Sequence, residues 1–195
     1  EEARRSLRPF RGLRAFREDD APFFFGRAAI SERLTLAVEN SRSVTLVGPS
    51  GSGKSSVIHA GLLPRLRRSS NGTIWGIVSL RPGQDPIRST ASVLADLLEP
   101  RLRGASLHGL ELQIYSALSS PQASAAGELG RLISRYRQSL ENVERVLLVV
   151  DQLEELLDCK DAALRDRFVD ELWSIARDSS LPVSIVAALR LDHQA

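Results

Sequence analysis

The stretch Ser43-Val44-Thr45-Leu46-Val47-Gly48-Pro49-Ser50-Gly51-Ser52-Gly53-Lys54-Ser55-Ser56 decides the fold. Its first five residues are short, β-branched and closed by a turn-forming Gly-Pro pair, which predicts a buried strand. Gly48 to Ser55 then matches G-x-x-x-x-G-K-[ST], a pattern that carries meaning only between a strand and a helix, where it stands here. The chemistry needs these residue types. Glycines let successive backbone N–H groups turn inward around phosphate oxygens, and the N-terminus of the following helix adds its dipole. Lys54 reaches the β and γ phosphates of a nucleotide, and the Ser55 hydroxyl is an oxygen ligand for Mg2+. Gly48, Pro49, Ser50, Gly51, Ser52, Gly53, Lys54, Ser55 and Ser56 are therefore the expected phosphate-binding residues.

Working outward, three more runs read as strands: Thr73 to Leu80, Val143 to Val150 and Val183 to Leu189. Between them the apolar period becomes helical. Ile30, Leu34, Ala37 and Val38 share one face; so do Ile87, Ala91, Leu94 and Leu98; Leu107, Leu110, Ile114 and Leu118; Leu129, Leu132, Ile133, Tyr136 and Leu140; and Leu164, Phe168, Leu172 and Ile175. These stripes are the faces with which helices cover a sheet. Arg67 to Gly72, Arg81 to Pro86 and Ser119 to Gly127 are the expected loops. Strand and helix alternating predict an α/β fold in three layers, with a largely parallel sheet of about four to five strands flanked by helices. In such a sheet the ligand edge is formed by the strands' C-terminal ends.

A phosphate loop needs a second magnesium anchor. Val146-Leu147-Leu148-Val149-Val150-Asp151 supplies one as an apolar strand ending in a carboxylate, so Ser55 and Asp151 are the expected metal ligands. Gln152, Leu153, Glu154 and Glu155 follow. The two glutamates are candidates for positioning the attacking water, and their spacing does not choose between them.

Composition narrows the rest. The chain has 195 residues, 43% hydrophobic and 26% charged, which suits one soluble globular domain. Twenty-six basic residues against 24 acidic ones leave +2, too even to indicate nucleic acid. No apolar run approaches the roughly 20 residues that span a bilayer, and no secretion signal opens the chain; a cytoplasmic location is expected. The single cysteine, Cys159, excludes an internal disulfide. His59, His108 and His193 lack metal spacing and read as ordinary helix or surface residues. The arginines from Arg4 to Arg17 read as a solvated N-terminus. Among 26 basic residues only Lys54 and Lys160 are lysine, a bias typical of GC-rich bacterial genomes.

Phe23-Phe24-Phe25-Gly26-Arg27, the loop Gly48 to Ser55, Arg81-Pro82-Gly83, the run Val149 to Leu156 and Ala187-Ala188-Leu189-Arg190 together resemble the bacterial STAND NTPases, specifically the novel STAND subgroup. The resemblance covers about Arg8 to Arg190. It implies a P-loop ATPase acting as a signalling switch with slow turnover, with ATP and Mg2+ as cofactors. Phe25, Gly26 and Arg27, with Phe10-Arg11-Gly12-Leu13 before them, correspond to the stretch bordering the adenine. Arg190 matches a sensor arginine at the γ-phosphate, so Lys54, Asp151, Glu154, Glu155 and Arg190 form the expected catalytic set. The resemblance also places the Val183 to Leu189 strand between the phosphate-loop strand and the Asp151 strand. Gln152 stands where many P-loop ATPases carry an acid, which moves the expected catalytic carboxylate three or four residues on.

Family members continue into a helical lid and a winged helix and carry sensor and effector domains. Residues 1–195 are accordingly expected to be the N-terminal part of an NTPase module from a longer protein, with an adenine-side segment at 1–42 and a nucleotide-binding core at 43–190. Self-association in the ATP-bound state is implied. A GTPase would need an Asn/Thr-Lys-x-Asp element, and Cys159-Lys160-Asp161-Ala162 does not supply it. An AAA-like initiator or DNA-associated ATPase is the alternative left standing; a non-hydrolysing scaffold is disfavoured by intact Lys54, Ser55 and Asp151.

Overall fold

Four strands form one parallel sheet: β1 (Ser43–Gly48), β2 (Trp75–Leu80), β3 (Arg145–Val150) and β4 (Val183–Arg190), in the order β1-β4-β3-β2. They belong to a computed structural model that describes residues 14–68, 72–120 and 127–191. The expected segment at 10–13, most of the loop at 119–127, part of the loop at 67–72 and His193 lie outside the described residues. β4 does sit between the phosphate-loop strand and the Asp151 strand, and the register sets Gly48 beside Arg190.

Helices cover both faces. α1 (Ala28–Asn40) lies on one side with the helical rod after the phosphate loop, which runs through α2 (Lys54–Ser56), a π-helical turn at Val57–Leu62 and α3 (Leu63–Arg67). The other side carries α4 (Pro86–Leu98), α5 (Gly104–Ser119), α6 (Glu128–Ser139) and α7 (Ala162–Arg177). The strands alternate between these layers. Val146, Leu148 and Val150 enter the core of α4 to α7, while Leu147 and Val149 enter the core of α1 and the rod. Period-2 side chains buried on both faces explain why β3 reads as an unbroken apolar run.

The expected stripes supply these cores: Ile87, Ala91, Leu94 and Leu98 of α4, Leu129, Ile133 and Tyr136 of α6, and Phe168 and Ile175 of α7 are buried. Asp85 and Asp161 cap α4 and α7, accepting from Arg88 N at 2.9 Å and from Ala163 N at 3.0 Å. Arg42 ties β1 to the end of α7, donating to the carbonyls of Ile175 at 3.2 Å and Leu181 at 3.0 Å and to that of Asp178.

One expectation is corrected. Ser43 to Val47 is half exposed, because β1 is an edge of the sheet and pairs with β4 alone among the described residues. Val44 and Leu46 pack toward the α1 layer, whereas Val47 is 45% exposed.

Candidate functional site

The C-terminal ends of the parallel strands meet at one edge, where a cleft of about 970 Å³ opens. The loop from Gly48 to Ser55 bends into it because Gly51 and Gly53 take φ of 69° and 87°, the left-handed region that a side chain disfavours. Gly53 caps α2, so the first amides of the rod point at the cleft. Lys54 folds back across the loop, donating from Nζ to Gly48 O at 2.8 Å and Pro49 O at 2.9 Å. Ser50, Gly51, Gly53, Lys54, Ser55 and Ser56 line the cleft; Gly48, Pro49 and Ser52 form the back of the loop.

Asp151, one residue past β3, is 1% exposed and sits opposite the loop. Ser55 Oγ donates to its Oδ1 at 2.8 Å, and Arg81 Nη2 lies 3.2 Å from its Oδ2. His59 Nε2 is 3.8 Å from the same oxygen, an electrostatic contact longer than a hydrogen bond. Burial alone would push the Asp151 carboxyl upward. Polar contact with His59, the Ser55 hydroxyl and the Arg81 charge outweigh burial and hold it below the ordinary carboxylate range. The donor set fits Mg2+: a hydroxyl and a carboxylate are hard oxygen ligands, leaving the other positions to phosphate and water. Among the described residues, no group of three or more His, Cys, Asp or Glu side chains is arranged to hold a metal, as a zinc site would require.

The chain then turns sharply. Gln152 adopts φ 58°, unusual for a residue with a side chain, and starts a 3-10 turn at Leu153–Asp158. This turn sends the two glutamates different ways. Glu154, 5% exposed, lines the cleft and accepts from Arg190 N at 3.1 Å through Oε2, with Arg190 Nε 3.9 Å from Oε1. Glu155 leaves the cleft lining and accepts from Gly83 N at 2.9 Å. Arg190 lines the cleft at the end of β4.

The N-terminal side departs from expectation. Phe25 is 81% exposed, and Phe25, Gly26 and Arg27 do not line the cleft, although Arg27 Nη2 reaches Ser52 O at 3.4 Å. The segment that does line it is Arg14 to Arg17, joined to the rod by Phe16 N donating to Ser56 Oγ at 3.1 Å. Phe16 packs on Phe24 with ring centroids 5.6 Å apart. Arg14 and Arg17 are thus not merely a solvated tail, and His59, on the helical rod, also lines the cleft. Two of the missed residues had a signal in the chain. His59 follows Ser55 by four, which puts both on one helix face, and Arg81 closes an apolar strand as Asp151 does.

Comparison with known proteins follows this geometry. The family model described as Novel STAND NTPase 1 matches residues 9–195. The zinc import ATP-binding protein ZnuC of Pseudomonas putida is 29% identical over 127 residues, taking in 60% of this chain and 49% of the relative. The lipoprotein-releasing system ATP-binding protein LolD 1 of Chlorobium chlorochromatii is 25% identical over 163 residues, 84% of this chain and 57% of the relative. The ZnuC of Pseudomonas fluorescens is 30% identical over 178 residues, 82% and 66%. The chain thus spans about half to two thirds of the curated relatives' length. A Walker-type ATPase of Pyrococcus abyssi superposes with a TM-score of 0.53 at 18% identity, over 91% of this chain and 48% of that one, a likeness of fold.

Proposed function

The chain belongs to the novel STAND NTPase 1 family, and from that membership we propose that it is the ATP-binding, slowly hydrolysing core of a signalling switch that works with Mg2+. The observation that carries this reading is the 2.8 Å hydrogen bond from Ser55 to Asp151 at the mouth of a glycine-bent loop. It joins, from 96 residues apart in sequence, the two oxygen ligands that a magnesium nucleotide needs.

Each residue then has a role. The amides of Gly48 to Ser56 cradle the phosphates, and Lys54 exchanges its bonds to the Gly48 and Pro49 carbonyls for the β and γ oxygens. Ser55 and Asp151 would hold the metal, which when bound would supply neutralisation of charge on the phosphates. Glu154 orients the attacking water and accepts its proton: the water oxygen bonds to the γ phosphorus, the bond from that phosphorus to the bridging oxygen breaks with the electron pair leaving on ADP, and the proton passes to the Glu154 carboxylate. Arg190, held by Glu154 at both its N–H and its guanidinium, steadies the γ-phosphate. Glu155 acts on the Gly83 backbone rather than on water. Residues 14–17, Phe16 above all, border the base; Phe25 and Gly26 serve the approach to α1, and Arg27 braces the loop at Ser52.

In the longer protein, ATP and ADP states would govern self-association and pass a signal between sensor and effector domains. The division into an adenine-side segment at 1–42 and a core at 43–190 belongs to this proposal, as does a cytoplasmic setting. Among the described residues no helix is long and apolar enough to cross a membrane. The test is ATP titration of Lys54→Ala: loss of a charge-assisted contact worth about 1.5–3 kcal/mol weakens binding about ten- to a hundredfold. Equal affinity in both proteins removes the phosphate-loop assignment.

A further inference from the structure

We propose that Arg81 is the resident counter-ion of Asp151 and a positioning residue that competes with the divalent cation for that carboxylate; the proposal rests on the nucleotide-site reading above. Both oxygens of this buried carboxylate are engaged, Oδ1 by Ser55 at 2.8 Å and Oδ2 by Arg81 at 3.2 Å. A buried charge stripped of its partners is strongly destabilising, and the Arg81 guanidinium, 3.2 Å from Oδ2, is a charged partner of this one. His59 Nε2 lies 3.8 Å from the same oxygen.

The backbones carrying the pair are locked together. Leu80 is in register with Val150, and Asp151 N donates to Leu80 O at 3.0 Å. Two residues past Arg81, Gly83 N is held by Glu155 at 2.9 Å. The movable part is the guanidinium arm itself, whose side chain is 55% exposed and lines the cleft. A dication held by Ser55 and Asp151 would share that carboxylate with the guanidinium, and two positive charges on one carboxylate repel. They therefore exchange. The displaced arm stays anchored at the end of β2 in a cleft built for polyphosphate, and the outer phosphate oxygens are the anions within that space that answer it. Arg81 thus links the arrival of the metal to the grip on the nucleotide's distal end.

The experiment measures the Mg2+ concentration that gives half-maximal binding of a fluorescent methylanthraniloyl-ATP, for the wild-type chain, Arg81→Ala, Arg81→Lys and Ser55→Ala, with melting temperature followed in EDTA. Removing the competitor lowers the half-saturating Mg2+ about three- to tenfold in Arg81→Ala, the range for a charge-assisted contact discounted for its half-exposed arm. Arg81→Lys falls between Arg81→Ala and wild type. The EDTA melting temperature of Arg81→Ala drops and is restored by magnesium nucleotide, because the metal replaces the lost counter-ion. A role in folding alone would lower nucleotide affinity at saturating Mg2+ and leave the half-saturating concentration where it was; that result, or a raised half-saturating concentration, overturns the proposal. If the wild-type chain binds the probe without any response to Mg2+, or Ser55→Ala responds as wild type does, the nucleotide-site reading falls and this inference with it.

Discussion

Replacing Glu154 by glutamine separates binding from turnover at the one carboxylate besides Asp151 that, among the described residues, lines the cleft. The side chain accepts from Arg190 N at 3.1 Å. Glutamine keeps a carbonyl oxygen for that bond and nearly the same volume, so β4 and the phosphate loop beside it hold their places. What is lost is the negative charge and the acceptor for a water proton. A positioned carboxylate of this kind contributes about 10²- to 10⁴-fold in rate, equivalent to about 2.7–5.5 kcal/mol of barrier. Glu154→Gln should therefore bind ATP within about threefold of wild type, since a neutral acceptor replaces a charged one at a contact worth about 1 kcal/mol. Its single-turnover hydrolysis should fall at least a hundredfold. Glu155→Gln supplies the contrast, because its carbonyl oxygen still accepts from Gly83 N and it does not line the cleft; its turnover should stay within about fivefold. Binding is read with a non-hydrolysable analogue and turnover by phosphate release with enzyme in excess. Wild-type turnover in Glu154→Gln, or loss of turnover confined to Glu155→Gln, would refute the assignment.

Phe16→Ala should weaken nucleotide binding about five- to a hundredfold, the worth of an aromatic face against a base, whereas the exposed Phe25→Ala should change it little; titration of both variants checks which segment borders the base. Arg42→Ala, which leaves the Ile175 carbonyl of α7 and the Leu181 carbonyl of the turn after it without their charged donor, should cost about 1.5–3 kcal/mol and lower the melting temperature by about 3–12 °C, read by thermal denaturation, with Arg42→Lys recovering part of the loss. On the proposed reading, in which further parts of a switch module would distinguish its two states, residues 1–195 should stay largely monomeric with ATP, because a ligand moves an equilibrium only through differential affinity for those states; light scattering with and without a non-hydrolysable analogue should show no ATP-dependent ring.

What the sequence determined by itself is what short-range patterns encode. Gly48 to Ser55 names a phosphate loop because the glycines, lysine and serine act on one ligand from one turn of chain. The apolar run into Asp151 marks a buried strand tipped with a carboxylate, and the stripes of α4, α6 and α7 are legible because a helix repeats its face every three to four residues. The position of β4 beside β1 came from family likeness, since no period in a strand says which neighbour it pairs with. Tertiary structure alone decided the rest. Glu154 and Glu155 are adjacent and chemically identical, and only the left-handed turn at Gln152 sends one into the cleft and the other to Gly83. Arg81 meets Asp151 across 70 residues because β2 and β3 are paired to their ends. Phe16 lines the cleft because its amide is bonded to Ser56 beside the loop, while Phe25 is left 81% exposed. Motif and periodicity are properties of neighbours in the chain; which side chain faces which is set by how the strands stack and where the backbone turns.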